Sequence, residues 1–516
     1  MKPRSQPRRP APAAPEPPPP PLAVIDIGSN SGRVTVMRIH RNSHLDVLED
    51  SRAPLRLALE VGDAGWLGSD AIDRTIDALR DFRAVALGAG ATSILAVATS
   101  AVREAANAKE LIQRAHRELG IRLVVIDGER EAAFAFLGAV HGLPAENGLL
   151  FDLGGGSLEI SQFKRRKLCA TWTLPLGALR VSDRFFKSEP PTAREGRRLR
   201  EHVVKSMRKA RIPQLAADET LIGTGGTIRN LAKMAARLRR DPLPHIHGSV
   251  LHVDAVRALA RRTASLSRAG RAAIPGLNRD RADSIVGGFM TTLVAMEFVG
   301  ARSLQVSGQG LREGIALATL GQNPPPASHV RKASIEALAR RFSTCEADAA
   351  RSRWQCAEKL LRRLEPAAEP ELRETLMHAC WIVDAGRAVD YFDRYRNAAM
   401  IIAAADLQGF TPRATALLFA TLLHADNESS HLTSLRPALR DKDDAMIGRA
   451  AILLRIADEV ERRNLPAHPA PVRIRLTSDA LALTGESLTG WRPRSVADRF
   501  RRAFHRELRI GSHHAE

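Results

Sequence analysis

Two stretches of this chain carry the same structural instruction. "LAVIDIGSNSGRVTVMRI" (Leu22–Ile39) and "NGLLFDLGGGSLEISQF" (Asn147–Phe163) each open as an apolar strand that closes on an acid, Asp26 or Asp152. Each then turns on glycine and serine and resumes as an alternating strand. A simple hairpin turn needs two to five residues and one glycine. These turns spend more small polar side chains than geometry requires, and both lie beside a carboxylate. The repeat constrains the whole chain, because it implies two mixed α/β lobes facing each other across a cleft. At 516 residues the chain also exceeds one ordinary core, so further domains are expected.

The text between the repeats supports this layout. The pattern predicts a helix around Ala71–Arg83, a strand in "SILAVATSAV" (Ser93–Val102), a helix near Ala108–Leu119 and a strand in "IRLVVID" (Ile121–Asp127). "TLIGTGGTIRNLAKMAARL" and "RSLQVSGQGLREGIALATL" are two more strand–glycine loop–helix units, the second ending at Leu320. "GQNPPPASHV" reads as a linker by its Pro and Gly. Beyond it, to about Ala467, apolar residues recur at three- and four-residue spacing. A β-like pair in "PVRIRLTSDALALTG" and a last amphipathic helix close the chain. The expected division is a proline-rich disordered tail over 1–21, lobes over 22–132 and 133–320, a linker over 321–330 and a mainly helical domain over 331–516. The tail has no apolar core of the kind a signal peptide needs.

Glycine-rich turns after strands expose backbone N–H groups that can surround a phosphate. Three such turns recur here, Gly28–Ser31, Gly154–Ser157 and Gly223–Thr227, and each carries Ser or Thr. Magnesium takes one or two carboxylates plus phosphate oxygens. Asp26 and Asp152 stand where a carboxylate could hold it, and Glu159 on the returning strand could point back toward the same ion. The net charge of +20 favours polyanionic partners. Aromatic residues make up only 4%, which argues against nucleic acid bound by base stacking. The four cysteines form no CxxC pair and suit a reducing cytoplasm. No apolar run is long enough to span a membrane.

"DIGSNSGR", "ATSAVREAAN", "DGEREAAFAFLGAV", "DLGGGSLE", "GTGGTIRN", "PGLNRDRADSI" and "SGQGLREGI" occur in that order. Together they resemble the exopolyphosphatase / guanosine pentaphosphate phosphatase (Ppx/GppA) family, strongly over Leu22–Leu320 and more loosely beyond. The resemblance implies an α/β fold of two actin-like, RNase H-like (sugar-kinase-like) lobes with an interlobe cleft, and a helical HD-like C-terminal domain. It implies Mg²⁺-dependent hydrolysis of the terminal phosphate of inorganic polyphosphate, or of the 5′ phosphate of guanosine pentaphosphate, in a cytoplasmic homodimer. Glu131 would activate water, and Asp152 and Glu159 would hold the metal. Phosphate would meet Asp26, Ser29, Asn30, Ser31, Arg33, Arg103, Gly154, Gly155, Gly156, Ser157, Gly225, Thr227 and Arg281.

Phosphoanhydride hydrolysis suits such a set: it needs an aligned water, a base, and cations for the spreading oxygen charge. Arginine forks match non-bridging phosphate oxygens better than lysine does. Two positions depart from the family pattern. Where the family has Gly, any residue, Glu, Glu, Ala, this chain has Gly128, Glu129, Arg130, Glu131, Ala132; and Leu158 replaces a threonine. These departures keep open a catalytically weak member that binds polyphosphate or an alarmone as a regulator. In the C-terminal domain the His–Asp pair of an HD hydrolase reads Val383–Asp384. His378, His424 and Asp426 stand at spacings that form no metal site, so a structural, dimerising or substrate-channelling domain with a degenerate metal motif is expected there. The chemistry belongs to the cleft.

Overall fold

The structure is a computed structural model and describes residues 18–243, 245–426, 432–464 and 472–511. The first 17 residues, most of the expected tail, lie outside the described residues. The first sheet holds β1 (Leu22–Ile27), β2 (Ser31–Ile39), β3 (Leu45–Pro54), β4 (Ser93–Ala98) and β5 (Leu123–Val125), in the order β3-β2-β1-β4-β5. β1 is antiparallel to β2 and parallel to β4. Its residues are nearly all buried because helices cover one face and the interlobe packing covers the other.

The second sheet contains β6 (Gly148–Leu153), β7 (Leu158–Lys164), β8 (Lys167–Leu174), β9 (Thr220–Thr224), β10 (Val250–His252) and β11 (Ser303–Val306). Read from its other edge the order is β8-β7-β6-β9-β11-β10. Three antiparallel strands are followed by two parallel ones, as in the first sheet, with β10 added at the edge. The repeated sequence therefore folds into a repeated topology, that of an actin-like pair of lobes.

Two local readings need correction. In "SILAVATSAV" the strand ends at Ala98, and Ser100–Glu104 is a short helix. The apolar run continues only because Ala101 and Val102 stay buried in the helical turn, which a short window cannot distinguish from strand. After the last helix (Arg494–Phe504) the chain makes one more strand, β14 (Glu507–Gly511). It pairs in parallel with β13 (Ala480–Thr484), itself antiparallel to β12 (Arg473–Leu476).

Two helices cross between the lobes. The helix Gly128–Val140 lays Phe136, Ala139 and Val140 on the second sheet, whereas Leu311–Ala318, near the end of the 133–320 segment, lays Ile315 and Ala316 on the first. They touch at two glycines. A Cβ on Gly314 would lie 1.7 Å from the Phe134 carbonyl oxygen, and one on Gly138 would lie 2.0 Å from that of Gly310. Only glycine permits this backbone contact.

The helical domain rests on both lobes. The Leu45 N–H donates to Gln408 Oε1 at 3.0 Å, and the Gln408 amide donates back to the Leu45 carbonyl. His245 of the second lobe meets the Ala403 carbonyl at 3.2 Å. The domain's core surrounds an ionic cluster in which Arg353, 1% exposed, is the hub. Its guanidinium reaches Asp384 at 2.7 Å, Asp458 at 2.9 Å and the Cys380 carbonyl at 2.8 Å. Arg394 and the Tyr395 hydroxyl also bond Asp458. Asp384, the aspartate kept from the His–Asp pair, thus faces a guanidinium. Among the described residues no three His, Cys, Asp or Glu side chains are grouped to hold a metal ion.

Candidate active site

The site forms where the two repeated turns meet. In the first, the Gly28 N–H donates to the Ser31 carbonyl at 3.2 Å; in the second, Gly154 does the same to Ser157 at 3.1 Å. The strand registers are equivalent as well: Asp26 lies opposite Arg33, and Asp152 lies opposite Glu159. The same position therefore carries a cation in one lobe and an anion in the other, so the two walls of the cleft are not electrostatic copies.

The turns interlock closely. A Cβ on Gly156 would lie 2.6 Å from the hydroxyls of both Ser29 and Ser100, which bond each other at 2.6 Å. Gly225 needs its glycine for another reason: its φ is +92°. At the mouth the lobes are joined by ion pairs, Arg52 to Asp280, Arg56 to Asp283, and Arg180 to Glu104 at 2.5 Å. These pairs are exposed or only part-buried and contribute little to stability.

Of the residues expected at phosphate, Asp26, Ser29, Asn30, Ser31, Arg33, Gly154, Gly155, Ser157, Gly225 and Arg281 line the cleft, as do Glu131, Asp152 and Glu159. Three expected residues do not. Arg103 donates to Glu131 Oε2 at 2.9 Å and to the Ile126 carbonyl at 2.7 Å. Gly156 packs under Ser29, and Thr227 is fully buried beside Gly288. Sequence reading missed Thr99, Ser100, Thr224, Arg229, Arg312 and Glu313, which also line the cleft. Arg229 and Arg312 stood in plain sight within "GTGGTIRN" and "SGQGLREGI". Their place in the first turn of a helix that follows a glycine loop was the available signal.

The two departures from the family pattern leave the cleft untouched. Arg130 is exposed and its backbone N–H is taken by Asp127, which caps the helix at 2.7 Å. Leu158 is buried in the second lobe's apolar core.

Glu131 enters from the first turn of its helix and is buried. Burial pushes its carboxyl up to about 7, against the pull of Arg103; Asp152 and Asp26 add repulsion. Burial likewise raises Asp152 to about 6 and Glu159 well above the usual carboxylate range, with Glu131 and Asp152 repelling Glu159 further. Facing them, burial and mutual repulsion lower Arg33 and Arg281 to about 10. Like charges are crowded on both sides of the cleft. A bound phosphate chain would relieve the arginines, and a cation would relieve the carboxylates.

The acidic side offers two oxygens that a divalent cation could meet. Asp26 Oδ1 and Glu159 Oε1 are buried with no hydrogen-bond partner, which is costly unless another group meets them. One or two carboxylates completed by phosphate oxygens and water are what magnesium ordinarily accepts.

The comparisons with known proteins agree with this geometry. The model of the Ppx/GppA phosphatase family matches residues 35–323, more than half of the chain. The chain belongs to the Ppx/GppA phosphatase family. A second family model, Ppx/GppA phosphatase domain III, matches residues 330–494. Exopolyphosphatase 1 of Mycobacterium tuberculosis is 28% identical over 331 residues, spanning 63% of this chain and 96% of that protein. The solved Ppx/GppA family member of Aquifex aeolicus is 31% identical with a TM-score of 0.51, covering 58% of this chain and 97% of that one. An exopolyphosphatase structure from Cytophaga hutchinsonii is 26% identical with a TM-score of 0.53, covering 58% and 98%. The shares covered show that these Ppx/GppA relatives match about as much chain as the lobes provide, so the helical domain's family assignment rests on its own model match.

The buried carboxylates make one prediction of stability. Glu159 binds its proton more tightly folded than unfolded, so folding is favoured most below the unfolded carboxylate range and less as pH rises toward the folded value. Glu159→Gln removes that loss. With a chelator present, the variant is expected to be more stable than wild type at pH 8, by on the order of 1–2 kcal/mol, and equal to it near pH 4. Thermal melts at the two pH values check this; a variant less stable at pH 8 would contradict the assigned burial of charge.

Proposed function

We propose that this Ppx/GppA protein is an exopolyphosphatase, which hydrolyses the terminal phosphate of inorganic polyphosphate with Glu131 as the general base. The observation that carries this reading is Glu131 itself, a buried carboxylate whose Oε2 is fixed by Arg103 while it borders a cleft walled by Arg33, Arg229, Arg281 and Arg312. Oε1 remains available to accept a proton from water. The water oxygen bonds to the terminal phosphorus, the anhydride P–O bond breaks, and the water proton passes to Glu131. The terminal group is released as orthophosphate, and the chain, shorter by one unit, keeps the bridging oxygen and its electron pair as its new terminus.

The arginines supply donors for non-bridging oxygens as charge spreads in the loose transition state. N–H groups of the two glycine turns, beside Ser29, Asn30 and Ser157, orient the terminal group. Asp152 and Glu159, with Asp26 beside them, would hold Mg²⁺, which when bound neutralises phosphate oxygen charge. Leu158 and Arg130 touch none of these parts, which weighs against a regulator that has lost its chemistry.

Four arginines in one cleft favour a long polyanion, and so does the net charge of +20. Guanosine pentaphosphate is the rival substrate. The deciding measurement is phosphate release from long-chain polyphosphate and from guanosine pentaphosphate in parallel, with Mg²⁺ and with chelator. Faster release from polyphosphate, lost on chelation, is expected; preference for the nucleotide would replace this reading. A cytoplasmic homodimer belongs to the same proposal. Four free cysteines suit the reducing compartment of that reading.

A further inference from the structure

The turn Ser307–Gly310, which leads into the helix Leu311–Ala318, stands between two cavities. On one side is the cleft, bordered by Gly310, Arg312 and Glu313. On the other is a cavity of about 250 Å³, bordered by His247, Gly308, Gln309 and Glu313 together with Asp406 and Gln408 of the helical domain. Close packing holds most of a protein interior in place. A turn with space on both sides has less of it and relies on its hydrogen bonds.

Those bonds come from several elements. The Thr224 hydroxyl donates to the Gln309 carbonyl at 2.6 Å, the Gly310 N–H to Glu313 at 2.8 Å, and the Gly308 N–H to His247 Nδ1 at 3.2 Å. The Gln309 side chain ties the turn to one element more: its Oε1 accepts from His141 Nδ1 at 3.1 Å. His141 is fully buried, and burial lowers it to about 4, so the imidazole is neutral and Nδ1 carries its proton. It directly follows the helix Gly128–Val140, whose first turn carries Glu131. The general base and this imidazole thus stand about 15 Å apart on one rigid rod. Arg312 lies three residues beyond Gln309, in the first turn of the helix that meets this rod at Gly138 and Gly314. Its own surroundings fix it weakly: Nε is buried with no hydrogen-bond partner, and the acid paired with it, Glu313, is 3.9 Å away. The backbone that carries Arg312 therefore sets its direction.

We propose that His141 and Gln309 are positioning residues for the hydrolysis: through the turn they set Arg312 against the phosphate group that receives water at Glu131. The inference rests on the cleft as the site of phosphoanhydride hydrolysis, whichever substrate is preferred. Charge spreads over the phosphate oxygens in the transition state, so a displaced Arg312 costs turnover more than it costs binding.

The test is steady-state phosphate release by the full chain with Mg²⁺, from the better of long-chain polyphosphate and guanosine pentaphosphate. His141→Phe keeps a ring and removes the donor, and Gln309→Ala removes the acceptor. Each is expected to lower kcat by about tenfold, with KM changed by no more than about twofold. His141→Asn, which keeps a donor at the δ position, should recover most of the loss. In an Arg312→Ala background neither substitution should lower kcat further, because the group they position is gone. A merely structural pair would impair both backgrounds alike. Where His141→Phe melts early, Gln309→Ala, on the partly exposed side of the bond, carries the same comparison. A wild type that hydrolyses neither substrate removes the reading of the cleft itself. An active wild type in which Gln309→Ala keeps full turnover, or loses as much without Arg312 as with it, overturns this inference alone.

Discussion

Replacing Glu131 with Gln is expected to lower phosphate release by about 10²–10⁴-fold, the usual cost of losing a positioned general base. The substitution keeps the shape and a hydrogen-bond acceptor for Arg103 but removes the proton acceptor. Polyphosphate should still bind, because the arginines and glycine turns of the cleft are untouched. The pH profile makes the assignment specific. Glu131 must be ionised to act, and burial places its carboxyl at about 7. Activity of the wild type should therefore rise with pH through about 7, with an acid limb set by this group. Arg103 pulls that value down through its 2.9 Å bond, so Arg103→Gln should move the acid limb to higher pH. A merely structural Arg103 would lower activity at every pH alike. Turnover of Glu131→Gln within a few-fold of wild type would remove Glu131 from the mechanism.

The largest loss of stability is expected in the helical domain, far in sequence from the chemistry. Arg353→Ala should destabilise that domain by about 3–5 kcal/mol. Arg353 is buried and its guanidinium reaches Asp384, Asp458 and Glu461. Its removal leaves two aspartates, 3% and 0% exposed, with Arg394 as the remaining buried cation. Breaking one partner of a buried ion cluster costs more than the cluster contributes, because the desolvated partner stays behind. Calorimetry should show the transition of the helical domain falling by several degrees. A loss below about 1 kcal/mol would mean that Arg394 alone neutralises both acids.

The Arg353 hub also explains why the His–Asp signature could be read only in part. Val383–Asp384 showed that the histidine was gone. What took over the aspartate's charge could not be read there, since Arg353 lies 31 positions away in sequence and on another helix. The same limit applies in the cleft. Each of the missed residues Arg229, Arg312 and Glu313 sits in a recognised motif, yet nothing local says that its side chain borders the cleft. Arg103 is a different case. Its motif suggested a phosphate clamp, and the short helix Ser100–Glu104 directs it to Glu131.

By itself the sequence determined the two strand–aspartate–turn units and the three glycine loops, because these depend on periodicity and on which residues can make a tight polar turn. It also pointed to the cleft between the lobes as the place where phosphate would be met. The tertiary structure decided the charge of each wall. Register alone places Arg33 opposite Asp26 and Glu159 opposite Asp152, and the crossing at Gly138 and Gly314 joins a helix from each lobe so that the two walls meet. The crossing at Gly138 and Gly314 joins segments more than a hundred residues apart, where the energy lies in burial and close packing and leaves no mark on local pattern.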